Sequence, residues 1–301
     1  VRGAAPRRSA VVAAAAVETG RECDAESTHD PDVLIECRDV HKWFGQKHVL
    51  RGMSFSIRRG EAVGIIGSSG TGKSTILRVI AGLLMPDNGE VIIDGKVRKG
   101  LLSDEDMRKR RLHVGMVFQS AALFDSLTVG RNVGFVLYEH SNLPDAEIER
   151  RVAKVLGQVG LKPDVADLYP SEISGGMKKR VALARAIISE AAEEGADGDG
   201  GDDADEQVIM YDEPTAGLDT VSSTVVEDLI VGLKEHADSQ VVSYIVVTHQ
   251  HSTIRRACDR IIFLHEGKVV WEGKVEEFDT TDEPIVVQFR TGSLDGPIQY
   301  K

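Results

Sequence analysis

Gly67-Ser68-Ser69-Gly70-Thr71-Gly72-Lys73-Ser74 is the stretch on which the reading of this chain turns. It follows Ala62–Ile66, a short apolar run suited to a buried strand. It precedes Thr75–Ala81, where Ile76, Leu77 and Ile80 fall at helical spacing. A glycine-rich loop ending in Lys-Ser between a strand and a helix fits a phosphate-binding template. The residue types follow from the chemistry. Glycines let successive backbone N–H groups converge on phosphate oxygens, and the next helix presents its positive dipole end. Lys73 supplies a point charge near the β- and γ-phosphates, and Ser74 offers a hydroxyl to Mg²⁺. Alone, the octet says nucleotide phosphate and no more.

A partner for the metal and the attacking water is found in Val208-Ile209-Met210-Tyr211-Asp212-Glu213. Four largely apolar residues read as a buried strand that delivers two adjacent carboxylates at its end. Asp212 is the expected Mg²⁺ residue, acting through water, and Glu213 the expected group polarising the nucleophilic water.

Around these two segments the chain alternates strand-like and helix-like patterns, which indicates an α/β core. Glu90–Asp94 and Val242–Val247 read as strands, and Ile261–Leu264 with Val269–Trp271 reads as a hairpin. The stripe Ile148, Val152, Val155, Leu156 and Val159 gives a helix over Asp145–Gly160, and a second helix is expected over Gly175–Ser189. The helical middle, about residues 121–188, reads as an inserted subdomain.

With these motifs in place the sequence resembles the ATP-binding-cassette (ABC) ATPases over about Val33–Phe278. The most telling residues are Ser174-Gly175-Gly176-Met177-Lys178, similar to the family signature LSGGQ, with Ile173 in place of Leu and Met177 in place of Gln. The resemblance implies a P-loop NTPase (RecA-like) core, an antiparallel β subdomain and an inserted α-helical signature subdomain. It also implies ATP and Mg²⁺ as cofactors. Ser174, Gly175 and Gly176 would face the γ-phosphate held by a second copy, in a head-to-tail dimer. Phe44 matches the aromatic that stacks on adenine, with Trp43 as its rival. Thr75 completes the phosphate cradle. Gln119 matches the glutamine that senses Mg²⁺ and faces a transmembrane partner, Asp219 the aspartate at the dimer contact, and His249 the histidine on the γ-phosphate. The nearby His251 leaves a His249/His251 metal pair as the competing reading.

Within the family, Phe118–Val129, Asn132-Val133 and Leu137–His140 resemble the Mla-type phospholipid-transport ATPases, as does Phe289–Ile298. Together with the amino-terminal composition, this points to their plastid counterpart, the trigalactosyldiacylglycerol-pathway lipid-import class. That class implies lipid transport of the phospholipid or phosphatidic-acid type across the inner chloroplast envelope. The chain would then sit peripherally on the stromal face, with separate permease subunits and a lipid-binding substrate protein as partners. The alternative is a soluble, non-transport ABC ATPase, for example one serving iron–sulfur cluster assembly.

The composition agrees with a globular protein, with 301 residues, 42% hydrophobic and 28% charged. The formal net charge of −12 argues against a nucleic-acid binder. Much of it is local. Residues 190–206 hold nine acidic side chains and no Lys or Arg, and outside them 39 acidic face 36 basic residues. That tract reads as a disordered insertion in the 33–279 ATPase domain. Residues 280–301 read as a C-terminal tail. No apolar run approaches the roughly 20 residues of a membrane helix. Residues 1–32 read as a residual transit peptide and linker, because Val1–Val17 has three arginines, seven alanines and no acid; a disordered cytosolic terminus is the alternative. Three cysteines without a CxxC suit a reducing compartment. Deleting the acidic tract is expected to leave basal ATP hydrolysis largely intact. A collapse of soluble yield or turnover would show it to be structural.

Overall fold

The computed structural model describes residues 30–98, 100, 112–188, 206–235 and 240–299. The chain enters an antiparallel hairpin of β1 (Val33–Phe44) and β2 (Lys47–Arg58). β3 (Ala62–Gly67) and the glycine-rich loop lead into α1 (Lys73–Ile80). β4 (Asn88–Ile93) and the short β5 (Lys96–Val97) return to the hairpin and complete a four-stranded sheet in the order β2-β1-β4-β5. After β6 (Leu112–Val117) comes a helical block of α2 (Val129–Val133), α3 (Phe135–His140), α4 (Asp145–Gln158) and α5 (Gly175–Ile187). There follow β7 (Glu206–Asp212), α6 (Thr220–Glu235), β8 (Val241–Val247), α7 (His251–Ala257), β9 (Arg260–His265) and β10 (Lys268–Lys274). The chain closes with α8 (Val275–Thr280) and α9 (Pro284–Thr291).

The second sheet runs β10-β9-β3-β8-β7-β6, parallel throughout except for the β9–β10 hairpin. Its central strands are covered on both faces, which is why they read as unbroken apolar runs rather than as alternation. All six residues of β3 are buried. In β7, Val208 and Met210 point into the core shared with α1 and the antiparallel sheet. Ile209 and Tyr211 point to the opposite core, shared with the helical block and α6. The period of two along a strand thus divides one tetrapeptide between two hydrophobic layers.

β6 escapes a propensity reading because His113 and Gly115 interrupt its apolar pattern. Gly115 is needed for close packing, since a Cβ there would lie 3.0 Å from the carbonyl of Ala186 in α5. Two domain boundaries also move. Glu206, expected in the acidic insertion, is the first residue of β7, paired with Leu112 and in an ion pair with Arg59. Residues 190–205 of that tract lie outside the described residues, as do residues 1–29 of the transit-like segment.

The expected C-terminal tail is part of the domain. Ile285, Val286 and Ile298 are buried with Ile66, Ile261, Phe263 and Phe278, so the segment packs on its own chain. Gln288, 2% exposed, fixes the return of the chain. Its Nε2 donates to the carbonyls of Ile298 (3.0 Å) and Ser293 (3.3 Å), while its Oε1 accepts from Ile298 N (2.6 Å). Gln288→Leu strands buried polar groups of Ile298 and is expected to lower stability by about 1–3 kcal/mol. The measurement is a thermal or denaturant melt, with an unchanged midpoint as the contrary result.

Candidate functional site

Many of the residues singled out by the sequence lie at the carboxyl ends of the parallel strands, where open α/β sheets bind ligands. β3 runs into the Gly67–Ser74 loop, β6 ends before Gln119, β7 ends at Asp212 and β8 ends two residues before His249. The loop is wedged between neighbouring strands. At Gly67 (φ 148°) a Cβ would come within 2.2 Å of the Leu264 carbonyl, and at Gly72 (φ 102°) within 2.7 Å of Leu50 Cδ2. Side chains are excluded there for steric as well as conformational reasons. Ser69 and Gly70 lie exposed at the crest, Thr71 and Gly72 are buried, and Ser68, Ser74 and Thr75 are half-buried.

Lys73 Nζ donates to the carbonyls of Gly67 (2.7 Å) and Ser68 (3.0 Å), and Thr71 Oγ1 also donates to Ser68 O (2.9 Å). Burial pushes the Lys73 pKa down, while the Glu213 and Asp212 carboxylates hold it up. Ser74 Oγ donates to Asp212 Oδ1 (2.9 Å), joining the start of α1 to the end of β7. Burial raises the Asp212 pKa, against this hydrogen bond and the charges of Arg78 and Lys73.

Glu213 is the next residue and is held in the left-handed region at φ 49°. Its Oε1 meets His249 Nδ1 at 2.8 Å, while Oε2 is buried without a hydrogen-bond partner. His249 is largely exposed, with 61% of its side-chain surface accessible. His251 turns away from it and packs against Phe278 and Phe289, where burial lowers its pKa. The His251 ring is thus engaged with two aromatic rings of the C-terminal elements, while His249 meets Glu213. Among the described residues no group of three His, Cys, Asp or Glu side chains is arranged to hold a metal.

The donor set fits a magnesium–nucleotide ligand. Mg²⁺ is commonly bound by one or two carboxylates together with substrate phosphates rather than by an all-protein cage. The neighbouring Ser74 and Asp212 match that mode. The loop amides and Lys73 match the phosphates, and the Glu213 carboxylate stands next to Asp212 with Oε2 unpaired.

Other predicted residues are placed less directly. Gln119 is exposed, and its main-chain carbonyl accepts from Lys179 Nζ. Phe44 is 51% exposed, whereas Trp43 stacks on His48 with centroids 3.9 Å apart, which leaves Phe44 the freer aromatic. Ser174 caps α5 by accepting from Met177 N (3.3 Å), and Met177 tucks against the helical-block core. Gly175 and Gly176 lie beside Leu218 and Ser222. Asp219 caps α6, taking N–H groups of Val221 and Ser222 (3.0 Å each) and the Ser222 hydroxyl (2.6 Å), which lowers its pKa. Among the described residues no hydrogen bond joins the Ser174–Gly176 segment to the phosphate loop.

Several supporting residues were missed. Lys179 and Arg185 of α5 hold main-chain carbonyls of Gln119, Ala121 and Ala122. Asn132 is fully buried and clamps the main chain of Phe124, Leu127 and Thr128. A lysine beside another lysine on a helix gives no sequence signal that one of them faces inward.

The chain is similar over most of its length to known proteins. The profile described as "ABC transporter" matches residues 50–192. Protein TRIGALACTOSYLDIACYLGLYCEROL 3, chloroplastic, of Arabidopsis thaliana is 58% identical over 278 residues, covering 90% of this chain and 77% of that protein. The intermembrane phospholipid transport system ATP-binding protein MlaF of Haemophilus influenzae is 35% identical over 268 residues, 89% of this chain and 94% of that one. Among solved structures, the dimeric post-hydrolysis state of the ATP-binding cassette MJ0796 with ADP and Pi matches with a TM-score of 0.67 and 31% identity, over 80% of this chain and 99% of that one. The chain belongs to the ABC transporter family, as one of its ATP-binding and ATP-hydrolysing subunits.

Proposed function

We propose that this chain powers lipid transport, of the phospholipid or phosphatidic-acid type, across the inner chloroplast envelope through separate permease subunits. One relative is named as chloroplastic, which supports the compartment, and another as the ATP-binding protein of an intermembrane phospholipid transport system, which supports the substrate class. The non-transport alternative finds no such support. Among the described residues no helix is long and apolar enough to cross a membrane, which accords with peripheral attachment at the stromal face through partners. A lipid-binding substrate protein completes the assembly. The chain works as a head-to-tail pair, a reading supported by the dimeric MJ0796 cassette and by Ser174 and Gly175 lying exposed at a helix start.

The observation that carries the catalytic reading is Glu213, which has one carboxylate oxygen on His249 and the other buried without a partner. Lys73 and the loop amides hold the phosphates, Ser74 and Asp212 hold Mg²⁺, and Gln119 reports on the metal toward the permease. Mg²⁺ supplies neutralisation of phosphate charge. Glu213 polarises the attacking water, His249 orients that carboxylate and meets the γ-phosphate, and Phe44 stacks on adenine. Ser174, Gly175, Gly176 and Asp219 act across the dimer contact. Lipid touches the partners rather than this chain.

Glu213→Gln is expected to bind ATP normally and accumulate a closed dimer while turnover falls about 10²–10⁴-fold. Steady-state phosphate release and size-exclusion chromatography with ATP measure this, and near-normal turnover refutes the role. For transport, the chain is expected to co-purify from detergent-solubilised envelope membranes with permease subunits and bound lipid. Recovery only with soluble partners overturns the assignment.

A further inference from the structure

Lys179 lies just over one turn inside α5 and is 7% exposed. Its ammonium donates to the Gln119 carbonyl and, at 3.4 Å, to the Glu213 carbonyl. One side chain therefore joins the helix that begins at Ser174, the segment after β6 and the end of β7. The backbone it holds at Glu213 is strained, with φ 49° and its N–H on Val247 O (2.8 Å). A non-glycine residue stays in that conformation only while its surroundings over-determine it.

The same helix grips the Gln119 segment a second time. Arg185 donates to the carbonyls of Ala121 (2.9 Å) and Ala122 (2.7 Å), two successive alanines that are also left-handed, at φ 62° and 48°. Desolvation pulls the Lys179 pKa down and the charges of Asp212 and Glu213 hold it up, as befits a cation placed for its neighbours rather than for solvent. Beside it lies a narrow void lined by Val117, Leu183, Tyr211 and Pro214.

We propose that Lys179 is a positioning residue for hydrolysis, fixing the Glu213 main chain relative to Gln119 and to the helix carrying Ser174. The carboxylate is then aimed at its water only when α5 and the Gln119 segment are in register. A shift of the Gln119 segment against its membrane partner reaches Glu213 through one side chain. The proposal rests on Glu213 being the water-polarising group.

The test is a double-mutant cycle in the full chain purified with its partners. Lys179→Met keeps the length and the apolar stem. It is expected to lower kcat about 10- to 100-fold through misalignment, with KM and nucleotide affinity within about twofold and Lys179→Arg restoring most of the rate. In a Glu213→Gln background the same change is expected to add no further loss, because the residue acts through that carboxylate. A multiplicative loss in the double variant, a matching fall in ATP affinity, or wild-type turnover of Lys179→Met overturns the proposal. If Lys179→Met does not fold, Lys179→Gln, which keeps a neutral donor, takes its place in the cycle under the same criteria. Normal turnover of Glu213→Gln alone would instead sink the reading of Glu213.

Discussion

Four charged groups, Lys73, Lys179, Asp212 and Glu213, share the partly dry space where β3 and β7 end, and the surrounding structure is arranged around their desolvation. Burial acts on both signs, lowering the pKa of the two lysines and raising that of Asp212. Such a cluster is tolerable only when opposite charges and fixed dipoles stand close by. Lys73 takes two loop carbonyls, Lys179 takes two more, and Asp212 takes the Ser74 hydroxyl. The lysines are held by carbonyl dipoles rather than by direct carboxylate contacts, so their charge remains available. In such a partly dry space a contact between these cations and an anion is stronger than in water.

That arrangement explains why the glycines of the loop cannot be replaced by bulk elsewhere. The loop passes so near the Leu264 carbonyl and Leu50 that its path is set by β9 and β2 as much as by its own residues. The antiparallel sheet and the hairpin after β8 therefore act as walls. They bring no reactive group, yet they fix where the amides point. The C-terminal α9 extends the same logic, since Ile285 and Val286 close the core beneath Ile66, the residue before Gly67.

The parts of this design legible in the sequence are those governed by local rules. Glycine-Lys-Ser at a strand–helix junction, two acids after an apolar tetrapeptide, and Ser-Gly-Gly at a helix start each carry their chemistry in consecutive residues. The α/β alternation was legible for the same reason, because strands covered on both faces read as short apolar runs. What escaped is set by contacts between distant segments. β6 carries Gly115 to admit α5, the last residues earn their place through Gln288 and Ile298, and Lys179 is distinguished from Lys178 only by what the fold puts beneath it. The boundary at Glu206 belongs to the same class, since its charge matched the acidic tract while its backbone pairs with Leu112.

Strain marks where these long-range contacts matter for chemistry. The left-handed residues outside glycine include Ala121, Ala122 and Glu213, and α5 holds carbonyls of all three through Arg185 and Lys179. Each such residue costs on the order of 1–3 kcal/mol relative to a relaxed backbone. Strain of this kind persists only while the surrounding contacts over-determine it, and here those contacts come from one helix. Ser174 stands at the start of that helix and Gln119 at the segment it grips. Ser174 and the Gln119 segment are therefore joined to the Glu213 main chain through one helix, and it is on this connection that the proposed positioning role of Lys179 depends.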